Sequence, residues 1–176
     1  MLVEMFKSAY IIPTGDEIKE GLVIDTDSPM VMQEILKLSP CCQIYRMPPV
    51  PDNQDEIVSK IRTFSESGAD LIVLIGGSGG GHRHSPTLAQ DFTHSGLDEL
   101  MPDAHSTALY GKNGHMWCKM ICGLIGGTLV INLPGPFQEA QAAMVAFNQA
   151  IKKHGLSPEH INERMAQVVK EQFGVK

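Results

Sequence analysis

The sequence predicts an α/β domain of three layers, with a mostly parallel sheet and helices on both faces. Leu71–Ile75 is short and continuously apolar, which is typical of a strand buried on both faces, and Thr128–Leu133 is predicted as a second buried strand. An amphipathic helical pattern precedes the first of them, where Ile57, Ile61 and Phe64 recur at helical spacing. A second long helical pattern follows the other. Strands that alternate with helices in this way predict a mainly parallel sheet.

The remaining elements follow from local signals. Gln54 to Ser67 is predicted as a helix that ends at Gly68, and Tyr45 to Val50 as a weak strand interrupted by prolines. Residues 88–117 are broken into short pieces by glycine and proline. Further predicted elements are a strand over Ala9–Ile12, a helix capped by Ser28-Pro29, a helix over 137–154 and a final helix from Ser157-Pro158 to about Phe173. Without a linker or repeat, residues 1–176 are predicted to form one domain.

Composition excludes several classes of function. Apolar residues make up 43% and charged residues 19% of the 176 residues, which is ordinary for a globular protein. The net charge of −6 argues against nucleic-acid binding, which relies on a basic face. No apolar run has the length of a membrane span, and the N-terminal residues lack a signal-peptide pattern. We therefore expect a cytoplasmic protein without membrane contact.

A glycine-rich loop follows the strand Leu71–Ile75, in the stretch VLIGGSGGGHRHSPT. Ligands bind beyond the carboxyl ends of strands in such sheets, and we expect a helix to begin at Ser85-Pro86. Free N–H groups and the positive end of a helix dipole would form an anion site there, with Arg83 adding a bidentate contact. The phosphate-loop and dinucleotide patterns do not match. The loop residues in question are Gly76, Gly77, Ser78, Gly79, Gly80 and Gly81.

Two other interpretations of this loop stay open. The loop could be a glycine-rich turn without a ligand. It could also bind a metal ion, because His82 and His84 alternate and further histidines follow. No compact Cys/His quartet accompanies them, so no metal site is predicted. The four cysteines also lack a zinc or redox spacing, and we interpret them as ordinary thiols.

Three segments occur in order along the chain: TGDEI from Thr14 with the later DTDS, ADLIVLIGGSG from Ala69, and GTLVINLPG from Gly127. Taken together, they resemble the molybdopterin-binding (MoaB/Mog) domain family. The first segment is nearer to the MoeA and CinA branches, and the last is nearer to the MoaB/Mog branch. The resemblance implies an α/β domain that binds molybdopterin, a pterin with a dithiolene and a phosphate, and a homo-oligomer, with a trimer favoured. The residues it implies in binding are Thr14, Gly15, Asp16, Gly76, Gly77, Ser78, Gly79, Gly80, Gly81, Arg83, Lys119, Pro134 and Gly135.

This chain departs from the family pattern at residues linked to catalysis. The family loop usually reads GGTGxxxRDxT, which places His84 where an aspartate stands in adenylylating members. Histidine cannot offer a carboxylate to Mg²⁺, which prefers oxygen ligands. Asp52 matches a second family aspartate, whereas Cys118-Lys119 stand for the usual Ser-Arg pair. Asp52 and His84 are thus the catalytic candidates. Mg²⁺ and ATP are implied only if the adenylyltransferase step survives.

The sequence therefore supports two leading functions. The first is a molybdopterin-binding protein of molybdenum cofactor biosynthesis or handling, in which the family's ATP-dependent step is lost. The second is a CinA-like, metal-dependent pyrophosphatase that acts on nucleotide diphosphates such as ADP-ribose, with Asp16, Glu17 and Asp52 as acidic residues. A histidine-rich metal carrier is a third, non-enzymatic alternative.

Overall fold

A computed structural model describes residues 4–79, 91–112 and 114–174. The strands are β1 (Ser8–Pro13), β2 (Gln43–Arg46), β3 (Leu71–Ile75), β4 (His105–Tyr110), β5 (Met116–Ile125) and β6 (Thr128–Leu133). The helices are α1 (Asp16–Lys19), α2 (Asp27–Leu38), α3 (Gln54–Glu66), α4 (Thr93–Leu100), α5 (Phe137–His154) and α6 (Pro158–Gly174).

The six strands form one sheet in the order β2-β1-β3-β6-β5-β4. The first four strands are parallel, and β5 and β4 extend the sheet, with β5 antiparallel to β6 and β4 antiparallel to β5. The predicted α/β class with a mostly parallel sheet is confirmed. Helices connect the parallel strands along the chain, and such crossover connections give these strands the same direction.

Two apolar clusters lie on opposite faces of the sheet. Each fills the interface between the sheet and one layer of helices. One face carries α2, α5 and α6, with Phe147 among its buried side chains. The other face carries α3 and α4, including Ile57, Ile61 and Leu97. All five residues of β3 and all six of β6 are buried, as expected for the two strands predicted to be buried. In the described part of the chain, no helix is long and apolar enough to span a bilayer.

Two predicted boundaries are wrong. The weak strand is β2 at Gln43–Arg46, because its pairing with β1 ends at the register pair Ile11 and Arg46, before the prolines begin. Val50 makes only an isolated bridge to Thr14. Helix α2 begins at Asp27, and the carboxylate of Asp25 accepts the N–H of Ser28 at 2.9 Å. Thr26 occupies the N-cap position without a side-chain capping bond, so the cap predicted at Ser28 is wrong, whereas Asp25 supplies a capping carboxylate, as also expected from the sequence.

The antiparallel half of the sheet was missed within residues 88–117. Gly111 and Gly114 do not end structure there. They form the tight connection between β4 and β5, where the N–H of Gly114 donates to Gly111 O at 3.0 Å. The alternation of exposed and buried residues in β4 is weak, since this strand is at the sheet edge. The glycines of this hairpin connection were thus taken for breaks in irregular chain.

A fully buried asparagine joins the parallel and antiparallel halves of the sheet. Asn132 of β6 has no solvent exposure, and its Oδ1 accepts the N–H of Ile121 in β5 at 2.7 Å. Its Nδ2 donates to Lys119 O and to Ser78 Oγ, both at 2.8 Å. The Asn132 side chain therefore pairs with main-chain groups of Ile121 and Lys119 in β5. It also holds Ser78, which lies three residues after the end of β3.

We predict that Asn132→Asp destabilises the fold by about 2–4 kcal/mol. A carboxylate keeps the acceptor for Ile121, but it cannot donate to Lys119 O and it buries a charge. The matched control is Asn53→Asp, the same chemical change at the exposed cap of α3, where Asn53 only accepts the N–H of Glu56. Urea unfolding of both variants measures the difference. Equal free energies of unfolding for the two variants would contradict this role of Asn132.

Candidate functional site

The candidate site lies at the carboxyl edge of β1, β3 and β6. Thr14 follows β1, and its N–H donates to Ile75 O at 2.8 Å, while the N–H of Gly76 donates to Leu133 O at 3.1 Å. A β-carbon built on Gly135 would lie 3.9 Å from the Cα of Gly76. The structure therefore brings Thr14, Gly76 and the Pro134–Gly135 turn together, as expected for the carboxyl ends of adjacent parallel strands.

The first two glycines of the loop are required by close packing. Gly76 and Gly77 have positive φ angles of 94° and 62°. A β-carbon on Gly76 would lie 2.8 Å from Thr14 O, and one on Gly77 would lie 2.3 Å from Thr93 Oγ1. The two threonine hydroxyls are 3.0 Å apart, and both side chains are buried. These threonines therefore hold the loop close against β1 and α4.

The next positions present main-chain donors. Within the described residues, the N–H groups of Gly77, Ser78 and Gly79 have no hydrogen-bond acceptor. The hydroxyl of Ser78 donates inward to Leu133 O at 3.1 Å, and its carbonyl accepts the N–H of Lys119 at 2.7 Å. Ser78 is thus fixed on both sides, with its N–H left for a ligand. Successive N–H donors of this kind form an anion-binding concavity.

Gly79 lies in a narrow space between two groups. A β-carbon there would lie 2.8 Å from Asp91 Oδ2 and 2.9 Å from Trp117 O. Only glycine allows this close approach of the chain, whatever the backbone angle. The Asp91 carboxylate also places negative charge beside the N–H donors.

Two carboxylates face each other next to the Thr14 turn. The N–H of Asp16 donates to Asp52 Oδ2 at 3.3 Å, and the N–H of Asp52 donates to Asp16 Oδ1 at 3.2 Å. The N–H of Gly15 donates to Val50 O at 3.0 Å, which brings the two turns together. Asp16 and Asp52, both predicted as site residues, are therefore neighbours, although they are 36 positions apart in the sequence.

Burial raises the pKa of Asp52 to about 6 from an ordinary value of 3.8. That value already includes the negative charges of Asp16, Asp91 and Glu17, which also raise the pKa, and the hydrogen bond from the N–H of Asp16, which lowers it. Such a carboxyl exchanges a proton near neutral pH, which is a property of general acids and bases.

Lys119 lies in β5 beside the loop, but its charge is paired. Its Nζ contacts both carboxylate oxygens of Asp98 in α4, at 2.8 and 2.7 Å. The Lys119 side chain is 22% exposed, and its charge is offset by Asp98 in this arrangement. In contrast, the main-chain N–H of Lys119 contacts the loop directly, because it donates a hydrogen bond to Ser78 O.

Several predicted site residues lie outside the described part of the chain. These are Gly80, Gly81, Arg83 and His84, together with the expected helix start at Ser85-Pro86. Of the residues that the structure describes, no three His, Cys, Asp or Glu side chains form a group that could hold a metal ion. Asp16 and Asp52 each bind the other's N–H instead. The described side chains do not by themselves form a group of metal ligands, and we derive no step through Mg²⁺.

Three residues that shape the site were not predicted from the sequence as site residues. Asn132 is a polar residue within an otherwise apolar stretch of strand, and a polar group there requires partners, which is a usable signal. Thr93 and Trp117 lie within residues 88–117, where glycines and prolines interrupt the periodic patterns. No local pattern there indicated a role for either residue. Their roles depend on contacts with the loop, which only the folded chain shows.

Two cavities lie elsewhere on the described surface. One, of about 390 Å³, lies between α5 and α6 and includes Lys153, His154 and Arg164. The other, of about 200 Å³, is lined mainly by the proline segment after β2 and by α1 and α3. The larger cavity is built from different elements than the strand edge, so its size does not identify it as the site. The strand edge is favoured by its donors and carboxylates.

The chain belongs to the family described as "Probable molybdopterin binding domain", whose model matches residues 10–153. The matched residues include every predicted site residue. A chain that matches this family over most of its length carries the domain used in molybdenum cofactor biosynthesis, with CinA-like proteins among its relatives. The predicted family membership is confirmed.

Two curated relatives represent the two groups that the sequence resembles, the CinA-like proteins and the proteins of molybdenum cofactor biosynthesis. A CinA-like protein of Fervidobacterium nodosum is 37% identical over 73 residues, covering 42% of this chain and 17% of the relative. A molybdenum cofactor biosynthesis bifunctional protein of Chlorobaculum tepidum is 27% identical over 147 residues, covering 80% of this chain and 45% of the relative. The chain thus spans less than half the length of either relative.

Solved structures show the same fold. CinA of Thermoplasma acidophilum, whose function is described as unknown, has a TM-score of 0.63 at 20% identity, over 85% of this chain and 98% of that one. MoaB of Thermus thermophilus, described as a molybdopterin biosynthesis enzyme, has a TM-score of 0.60 at 22% identity, over 92% and 98%. Identity at this level supports the fold alone.

We predict that Gly77→Ala destabilises the protein by about 3 kcal/mol, whereas Gly126→Ala costs about 1 kcal/mol. Both glycines have φ near +60°, so the backbone strain is matched. Only Gly77 lies against Thr93, since nothing is within 4 Å of a β-carbon on Gly126. Thermal unfolding of the two variants isolates the packing contribution. If Gly126→Ala costs as much as Gly77→Ala, close packing of the loop is not what requires glycine.

We predict that Asp52→Asn stabilises the fold at pH 8 by up to about 1 kcal/mol and has little effect at pH 4. The raised pKa means that the folded chain holds this proton more tightly than the unfolded chain. The associated stability is present below about pH 4 and is lost as the pH rises through about 6. Unfolding curves at both pH values test this, with the exposed Asp103→Asn as control. A gain that is larger at pH 4 would contradict the sign.

Proposed function

We propose that the chain binds molybdopterin at the carboxyl edge of β1, β3 and β6, as a protein of cofactor biosynthesis or handling. The observation that carries this proposal is the run of three N–H donors, Gly77 to Gly79, without acceptors in the described residues. The ligand's phosphate is the natural partner of such donors. Family membership supports molybdopterin as that ligand.

The charges around the loop make Arg83 important for this proposal. Asp91 lies beside Gly79, and Asp98 neutralises the ammonium of Lys119. The described side chains therefore provide little positive charge for a phosphate. Arg83, which follows the loop but is outside the described residues, is the cation that we propose for this role. A guanidinium can bind two phosphate oxygens at once.

We further propose that the chain lacks the adenylyltransferase step. The resemblance places His84 at the position of the family aspartate, and an imidazole does not replace a carboxylate toward Mg²⁺. The described carboxylates add no group that would compensate, as Asp16 and Asp52 are engaged with each other. Loss of one transition-state contact of this kind typically lowers a rate by about two to three orders of magnitude.

The CinA-like alternative is a metal-dependent pyrophosphatase, and the Asp16–Asp52 pair is the observation that favours it. A carboxyl with a pKa of about 6 could act as a general base toward water near neutral pH. This alternative requires a metal ion, and no three described His, Cys, Asp or Glu side chains form a group that could hold one. Metal-dependent phosphate release from ADP-ribose, lost in Asp52→Asn, would favour this alternative over the first proposal.

We predict that calorimetry detects binding of molybdopterin to the wild type, and that Arg83→Ala weakens binding by about 10- to 100-fold because one charged bidentate contact is lost. The control is Arg62→Ala, an exposed arginine of α3, which should bind as the wild type does. With Mg²⁺ and labelled ATP, no adenylylated pterin should form.

Three results would contradict parts of this account. Failure to bind either molybdopterin or its adenylylated form refutes the ligand. Equal affinity in Arg83→Ala refutes the role of that arginine. Rapid formation of adenylylated pterin by the wild type refutes the loss of catalysis. Cofactor use, partner proteins and the trimer suggested by the resemblance are further proposals, and size-exclusion chromatography with light scattering tests the oligomer.

A further inference from the structure

Helix α6 lies outside residues 10–153, which the family model matches, yet it packs on β4 and β5 next to the site. Its buried Asn162 donates through Nδ2 to Met120 O at 2.8 Å and accepts the hydroxyl of Thr107 at 2.6 Å. These bonds fix the first half of α6 to the antiparallel half of the sheet. The second half continues toward the start of β5.

Trp117 of β5 connects α6 to the sheet. The β4–β5 register pairs Leu109 with Cys118 and Tyr110 with Met116, so the pairing skips Trp117. At such a bulge, the side chain points in a different direction from the one that strict alternation along the strand would give it. The indole packs with the cluster on the α6 face and stacks on Phe173, with ring centroids 4.1 Å apart and planes 15° apart.

The main chain at the same position contacts the glycine loop. Trp117 O would lie 2.9 Å from a β-carbon on Gly79, and two residues later the N–H of Lys119 donates to Ser78 O at 2.7 Å. One short segment of β5 therefore touches α6 with its indole and the loop with its main chain.

We propose that α6 positions the glycine loop through the Phe173–Trp117 stack, and that a ligand at the loop and the docking of α6 stabilise each other. The second half of this proposal rests on the proposed molybdopterin site. Phe173 is then a positioning residue, which does not touch the ligand. Thermodynamic linkage requires the effect to be reciprocal: removing the stack weakens ligand binding, and a bound ligand protects α6. A stack of this kind limits the effect to about 2- to 10-fold in affinity.

The ligand-free experiment compares amide spectra of Phe173→Ala with those of Gln172→Ala. Gln172 is its exposed neighbour in α6, and Phe173 is 40% exposed, so neither change is expected to prevent folding. We expect Phe173→Ala to shift the amide resonances of Gly79 and Lys119, with Gln172→Ala leaving them in place and Phe173→Tyr restoring them. Unshifted Gly79 and Lys119 resonances in Phe173→Ala would overturn the proposal.

The second experiment adds molybdopterin and follows amide hydrogen exchange across residues 158–174. We expect slower exchange in the wild type, and about 2- to 10-fold weaker binding by Phe173→Ala with no loss in Phe173→Tyr. Equal affinities and unchanged exchange would overturn the coupling to the ligand. If the wild type binds no molybdopterin while the ligand-free shifts occur, the proposed function fails and the positioning by α6 stands. The fluorescence of the single tryptophan offers a further readout of the stack.

Discussion

The side chain of Asn132 is the interaction on which the arrangement of the site depends. Parallel strands can bring their carboxyl ends to one edge, but they do not by themselves fix a glycine-rich loop beyond that edge. Asn132 does so by binding Ser78 on one side and the main chain of β5 on the other. Because the amide is fully buried, each of these bonds forms without competition from water, and its loss leaves unpaired groups.

The loop is held mainly by neutral hydroxyl and amide groups, from Thr14, Thr93 and Asn132. His94 also contacts Gly77 O, with its main-chain N–H at 3.4 Å and its ring Nδ1 at 3.3 Å. The acidic side chains Asp16, Asp52 and Asp91 lie around this support. Most of the bonds that position the N–H donors are therefore made by neutral groups, whereas most of the titratable groups lie at the periphery of the loop.

Much of the fold could be predicted because it is encoded locally. The buried strand β3 is a continuous apolar segment, β6 is apolar apart from Thr128 and Asn132, and α3 shows its apolar face at helical spacing. The antiparallel hairpin could not be predicted in this way, because β4 is an edge strand with weak alternation and its turn contains Gly111 and Gly114. The residue pair Asp16–Asp52 was predicted as two separate candidates. Their contact depends on β1 and the Val50 turn being adjacent, which is a property of the sheet.

The central claim is that the glycine loop at the carboxyl edge is the ligand site of this family member. A crystal structure of the wild type with molybdopterin bound tests it most directly. The account predicts the phosphate of the ligand beside the N–H groups of Gly77, Ser78 and Gly79, with the Asn132 bonds to Ser78 and Lys119 unchanged. Ligand density in the cavity between α5 and α6, with none at this loop, would contradict it.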